Sequence, residues 1–237
     1  MGDSLDPNEA AGKIAKEIMN SEPVTNLLGP LTTNIGAVLG LVGDIARFYT
    51  EENLAKIFCK WGQRIRGEPL NAEDFKRVLP LLRDAAMQSD EELQERWAAL
   101  LESFVTAEQP LSPSFGFTLS QLTPVEARFL GRLAIIVHVR TMGAPGEYFY
   151  HQLLTLYDES IPSDIIGSEG LIDAMPLDLQ AQAEFAISHL MMLNLIQKRA
   201  EAITTGGGYG ARPDTTTLEW YSVSVYGRQF HEAVSGQ

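Results

Sequence analysis

Cysteine is nearly absent: Cys59 stands alone, which excludes an intrachain disulfide and any zinc cluster built on thiolates. Basic residues are also scarce, with 18 Lys and Arg against 31 Asp and Glu and a formal charge of −13. An acidic excess of that size repels phosphate backbones, so no specific nucleic-acid partner is expected. The acidity runs through both halves of the chain, leaving no basic domain hidden in the average. No charged leader followed by an apolar run opens the sequence, and the expected compartment is a reducing cytoplasm. The words Gly-x-x-x-x-Gly-Lys-Ser/Thr, Gly-x-Ser-x-Gly and His-Glu-x-x-His do not occur, which removes the common routes to phosphate binding, serine hydrolysis and zinc proteolysis.

What is present is core-forming material. An apolar content of 45% with 21% charged residues suits one large or two small globular domains and argues against a disordered chain. Asp6-Pro7-Asn8-Glu9 reads as a helix start, with a helix to about Asn20. A helix from near Asp44 carries Leu54, Ile57, Phe58, Trp61 and Ile65 at offsets of three and four, one face of a 3.6-residue period. Asn71 caps a segment that turns Phe75, Val78, Leu79 and Leu82 inward, and Pro80 predicts a division into two half-helices. Ser89-Asp90-Glu91-Glu92 is a capping box ahead of Leu93, Trp97, Leu100, Leu101, Phe104 and Val105.

Pro110, Pro113 and Gly116 predict a loop over residues 107 to 116 and the domain boundary: a helical domain over 1–112 and a second domain over 113–237. The second begins with a capping box, Thr123-Pro124-Val125-Glu126, and a helix burying Phe129, Leu130, Leu133, Ile136 and Val137. A helix over about Glu147 to Tyr157 and a long one over Leu177 to Leu195 follow. Strands over Gln197 to Ile203 and Leu218 to Val225 flank a Gly-rich tip, and Gly227 to Val234 closes as a short helix. Helix, helix, helix, hairpin, helix is the order of a winged-helix domain. The fold class is therefore mainly α, an N-terminal helical region plus a winged-helix-like domain with one small β-hairpin.

Candidate chemistry is thin. His138, His151, His189 and His231 lie on separate elements without zinc-motif spacing, and His189 sits among Phe185, Ile187, Leu190 and Met191 as a structural histidine would. Asp90, Glu91, Glu92 and Glu95 are acids of a first helical turn, where the helix dipole favours them. Gly206-Gly207-Gly208-Tyr209-Gly210 precedes a strand and not a helix N-terminus, so it reads as a hairpin tip and not as a phosphate cradle. The long helix, in the place where a winged helix reads DNA, has no Lys or Arg before Lys198; only Lys198, Arg199 and Arg212 decorate the hairpin. No catalytic, cofactor-binding or metal-binding residue is assigned, and no cofactor.

Pro23 to Gly43 is the unusual segment: 21 residues without a charge. That length matches about 30 Å of hydrocarbon as a helix. Asn26, Asn34, Pro30 and the glycines dilute it too far for a permanent span, and Gly36-x-x-x-Gly40 allows close packing. The expectation is a segment buried at rest that meets a membrane only conditionally.

Two longer words resemble a known family. Val78 to Ala86 (VLPLLRDAA) followed by Asp90 to Leu101 (DEELQERWAALL) is similar to the bacterial abortive-infection alpha (Abi-alpha) family. The likeness extends to Pro113-Ser114-Phe115, to Leu119 to Ala127, and upstream to Gly29-Pro30-Leu31, Leu39-Gly40 and Arg47-Phe48-Tyr49. Leu193 to Ile196 with Tyr221 to Phe230 resembles the family's closing pattern, although Asn194 stands where glycine is usual and Ser224 where threonine is usual. The resemblance implies a part in bacterial defence against phage, and it implies no catalytic residue. The expected function is a non-enzymatic anti-phage protein acting through a protein partner or a homo-oligomer, with conditional membrane insertion. The alternatives are an enzyme with an unrecognised active site or a nucleic-acid-directed winged-helix regulator.

Overall fold

In the computed structural model the described residues are 17, 20–29, 47–65, 69–140, 148–149, 157, 177–205 and 214–236. They separate into two units, Met1–Pro124 with Glu232–Gln237, and Val125–His231. The helix expected over Pro7 to Asn20, most of the uncharged stretch and the glycine-rich hairpin tip lie outside the described residues.

The first unit is helical. Helix α1 (Glu22–Leu28) has Pro23 in its first turn, where no amide partner is needed, and buries Val24, Leu27 and Leu28. It stops at Gly29, whose φ of 44° suits a residue without a Cβ. Helix α2 (Arg47–Arg64) turns Leu54, Ile57, Phe58 and Trp61 into the core as their spacing predicts, and Ile65 is half-buried just beyond its end. Gly62 lets the Pro23 backbone approach α2, because a Cβ there would strike the Pro23 carbonyl.

Helix α3 (Ala72–Ala86) opens on Asn71, whose side chain accepts from the Glu73 and Asp74 amides at 2.9 and 3.0 Å. Two expectations fail here. Pro80 does not split the helix, since Pro80 and Lys76 are both exposed and water can satisfy the Lys76 carbonyl that loses its donor. Leu79 is 37% exposed, because the inward stripe runs through Val78, Leu81, Leu82 and Ala85 and leaves position 79 about 100° away.

Helix α4 (Glu91–Thr106) is capped by Asp90 and not by Ser89; the Asp90 carboxylate accepts from the Leu93 amide at 3.0 Å. Leu93, Trp97, Leu100 and Leu101 are buried, and Phe104 and Val105 are half-buried. Lys60 to Glu95 (2.6 Å) and Arg64 to Glu102 (2.8 Å) tie α2 to α4, each partly exposed and each contributing at most about 1 kcal/mol. The loop expected to reach residue 116 gives way at Ser114 to helix α5 (Ser114–Gln121). It seats Phe115 and Leu119, one turn apart, in the core, and Gly116 lets Leu81 and Trp97 close on it.

The second unit holds helix α6 (Pro124–Arg140), strand β1 (Tyr148–Phe149), helix α7 (Leu177–Met192), strands β2 (Ile196–Thr205) and β3 (Asp214–Val223), and helix α8 (Val225–Ser235), whose end from Glu232 belongs to the first unit. The hairpin β2–β3 is antiparallel, pairing Ile196 with Val223 through to Thr205 with Asp214. A helix was expected over Glu147 to Tyr157, but Tyr148 and Phe149 pair with Tyr221 and Trp220 on the other edge of β3, giving the order β1-β3-β2. The free edge of β3 supplies backbone hydrogen-bond partners, and aromatic residues have a high strand propensity. Val225, expected as the last strand residue, begins α8 and is exposed. On α6, Phe129, Leu130 and Leu133 are buried as expected; the side chains of Ile136 and Val137 lie outside the described residues.

Helix α7 ends at Met192, and in the turn that follows Asn194 has a φ of 58°, a non-glycine residue in the left-handed region. The turn is closed by the Leu195 amide on the Leu190 carbonyl at 2.9 Å. Asparagine tolerates this conformation better than most residues but less well than glycine. Asn194→Gly is therefore expected to raise unfolding free energy by about 0.5–1 kcal/mol in a urea titration. A loss would mean that the Asn194 side chain holds the turn.

Candidate functional site

Ala183, Ala186, Ile187 and Leu190 bury one face of α7. On the opposite side Asp178, Phe185 and Met192 recur every seven residues, so they line up along the axis to within about 20° per step. Phe185 is 71% and Met192 82% exposed, and Leu177 at the helix start is 82% exposed. Ala181, Gln182, Glu184 and Ser188 complete an exposed surface with two acids and no cation. Large apolar side chains this open are costly to hydrate, and aromatic residues and Met are what protein interfaces select. The same surface lacks the Arg and Lys that phosphate or base contacts require.

Beneath this face lies a polar pair. Glu126, read from sequence as part of a capping box, is only 3% exposed, and its carboxylate stands 2.7 Å from His189 Nδ1. A carboxylate oxygen accepts, so Nδ1 carries the hydrogen and the imidazole is held in one orientation between α6 and α7. The Phe185 ring lies 6.2 Å from the imidazole, centroid to centroid. A carboxylate orients a histidine in the same way in acyl-transfer enzymes, but there the second ring nitrogen meets a nucleophile. Among the described residues His189 Nε2 has no hydrogen-bond partner. The pair thus positions α7, and through it Phe185.

The closing sequence word has a structural meaning of its own. Ser224 is buried; its hydroxyl donates to the Asn194 carbonyl and accepts from the Gly227 amide at 2.8 Å, capping α8. The Ser224 amide donates to the Leu195 carbonyl at 3.0 Å. Gly227 lies where any Cβ would strike that same carbonyl, and Phe230, one turn on, is fully buried. The turn after α7 and the start of α8 are one interlocked unit, and serine does here what threonine would do.

The remaining sequence candidates disperse. Asp90 caps α4, Glu91 and Glu95 reach Lys60, and Glu92 pairs with Arg96 at 3.2 Å, so the acidic turn is consumed by structure. His231 borders Gly131 on α6, whereas the side chains of His138 and His151 lie outside the described residues. Lys198 stands 5.8 Å over the Tyr221 ring in the hairpin, and Arg212 and Gly206 to Gly210 lie outside the described residues. Among the described residues no three potential metal ligands converge and no helix is long and apolar enough to cross a membrane.

Sequence reasoning missed the α7 face and the Glu126–His189 pair. The first had a signal, since Phe185 and Met192 lie off the alanine-rich stripe; the second, spanning 63 positions, had none.

No curated protein and no solved structure matches the chain. The model of the family described as abortive infection alpha matches residues 46–234. That span contains the VLPLLRDAA and WAALL words, the Glu126 helix and the Ser224–Gly227–Phe230 lock, and leaves Gly29-Pro30-Leu31 and Leu39-Gly40 outside it. With most of its length matched, the chain belongs to the abortive infection alpha family.

Proposed function

We propose that this protein acts in abortive infection without catalysis, by docking a protein partner on the exposed face of α7 in a winged-helix-like second domain. The observation that carries the reading is the line of Asp178, Phe185 and Met192, apolar anchors beside acids with no cation on the helix. Support for the winged-helix assignment comes from the element order, a long helix followed by an antiparallel hairpin with a third strand on its edge. The acidic flank favours a partner whose apolar pocket is rimmed by basic residues, and it disfavours both DNA and a second copy of the same face. In the cytoplasm this domain is the sensor, and the first domain with its uncharged stretch supplies the effect. The membrane step rests on the composition of residues 23 to 43, whose first residues Val24, Leu27 and Leu28 are packed away at rest.

The double variant Phe185→Ser with Met192→Ser removes both anchors from solvent and leaves the core intact. It is expected to fold as the parent does and to lose protection in a plating assay, since losing two anchors weakens a partner complex by about 100-fold or more. Undiminished protection by the folded variant would exclude the α7 face. Binding of a defined duplex tighter than about 1 μM at physiological salt would favour the nucleic-acid reading instead.

A further inference from the structure

The first unit contains a cavity of about 240 Å3 between α3 and the chain leaving α4. Its apolar wall is Phe104, Pro110 and Leu111, and two charged residues border it, Arg77 from α3 and Glu108 from the segment after α4. Several cations of this unit are engaged, Lys60 with Glu95, Arg64 with Glu102, Lys76 with Glu73 and Arg96 with Glu92, whereas among the described residues Arg83 and Arg77 are not, and of these two only Arg77 borders the cavity. Arg77 and Glu108 share that cavity. They make no ion pair with each other, and neither has a hydrogen-bond or ion-pair partner among the described residues. In a chain with 31 acids, a guanidinium left unpaired beside an apolar cavity is a selective feature.

Opposite charges beside an apolar wall set the chemistry of an occupant. A lone anion would meet Glu108, and a lone cation would meet Arg77; only a molecule carrying both charges satisfies each. The volume lies below the roughly 300–1,000 Å3 of sites for drug-sized ligands, which excludes dinucleotides and leaves a small metabolite. We propose that this cavity binds a small zwitterion of the α-amino-acid class with a large apolar side chain. The carboxylate pairs with the Arg77 guanidinium, the ammonium pairs with Glu108, and the side chain lies on Phe104, Pro110 and Leu111. The site is in the first unit and does not depend on the α7 reading.

The test uses the full chain and ligand-observed NMR with L-phenylalanine, 3-phenylpropionate and 2-phenylethylamine as probes. L-Phenylalanine is expected to bind about ten-fold more tightly than either singly charged analogue. Arg77→Gln and Glu108→Gln, both at exposed positions that leave the helical circular dichroism unchanged, should each weaken it by about ten-fold. Absence of L-phenylalanine binding up to about 10 mM, where even a weak site of about 4 kcal/mol saturates, overturns the proposal. So does equal binding of either analogue, or binding that survives both substitutions.

Discussion

Gly227→Ala is expected to lower the unfolding free energy by about 3 kcal/mol or more, one of the larger losses available to a single methyl group. The added Cβ would fall on the Leu195 carbonyl, with the Leu195 carbonyl carbon and Cα at 2.8 and 3.0 Å. These are backbone atoms in a closed turn, so no side chain can swing aside. Either α8 shifts at its first turn or the Asn194 turn opens, and both routes break the Ser224 bonds that join them. Gly131→Ala on α6 is the control, because its nearest neighbour would be His231 Nε2 at an ordinary 3.7 Å. There the helix should gain up to about 1 kcal/mol. A urea titration reads both, and a Gly227→Ala loss under about 1 kcal/mol would show that the turn and α8 are not interlocked.

Trp97→Ala should cost about 3–5 kcal/mol, because the side chain is wholly buried and its ring edge fills the space that Gly116 leaves open against α5. Among the described residues the same indole N–H, which is buried, has no hydrogen-bond partner, and neither has that of Trp61. An unmet donor costs about 1–3 kcal/mol, which offsets part of what the ring contributes and holds the Trp97→Ala loss toward the lower end. Trp97→Phe separates the two effects: it removes the donor and keeps most of the packing, so a loss under about 1.5 kcal/mol is expected. If Trp97→Phe destabilises as much as Trp97→Ala, an ordered water completes the N–H and the polar contact matters more than the ring.

Much of this fold can be read without coordinates wherever the determinants are local. The stripe Leu54, Ile57, Phe58 and Trp61, the Asn71 cap, and the run Leu93 to Leu101 each declare a helix and its inner face within a few turns. The hairpin announces itself through β-rich runs on either side of a glycine cluster. The Ser224, Gly227 and Phe230 spacing carries the family likeness, and its cause is local on one side: a cap, a close approach and a core residue on one helical turn.

Local signals misled where a long-range partner outweighed them. Proline at 113 and glycine at 116 read as a loop, yet Leu81 and Trp97 supply a surface on which a two-turn helix is favourable. Pro80 reads as a break, yet Pro80 and Lys76 are both exposed and water can replace the lost amide. Tyr148 and Phe149 read as helix until β3 offers them an edge.

By itself, the sequence determined the helical class, most caps and inner faces, the acidic net charge, and the family. The tertiary structure alone decided which side of α7 stays open, that Glu126 meets His189, and that Arg77 and Glu108 border one apolar cavity. The reason is physical. Caps and amphipathic stripes act over three or four residues, where order along the chain is order in space, whereas a docking face or a cavity is defined by what fails to be covered after distant elements have packed.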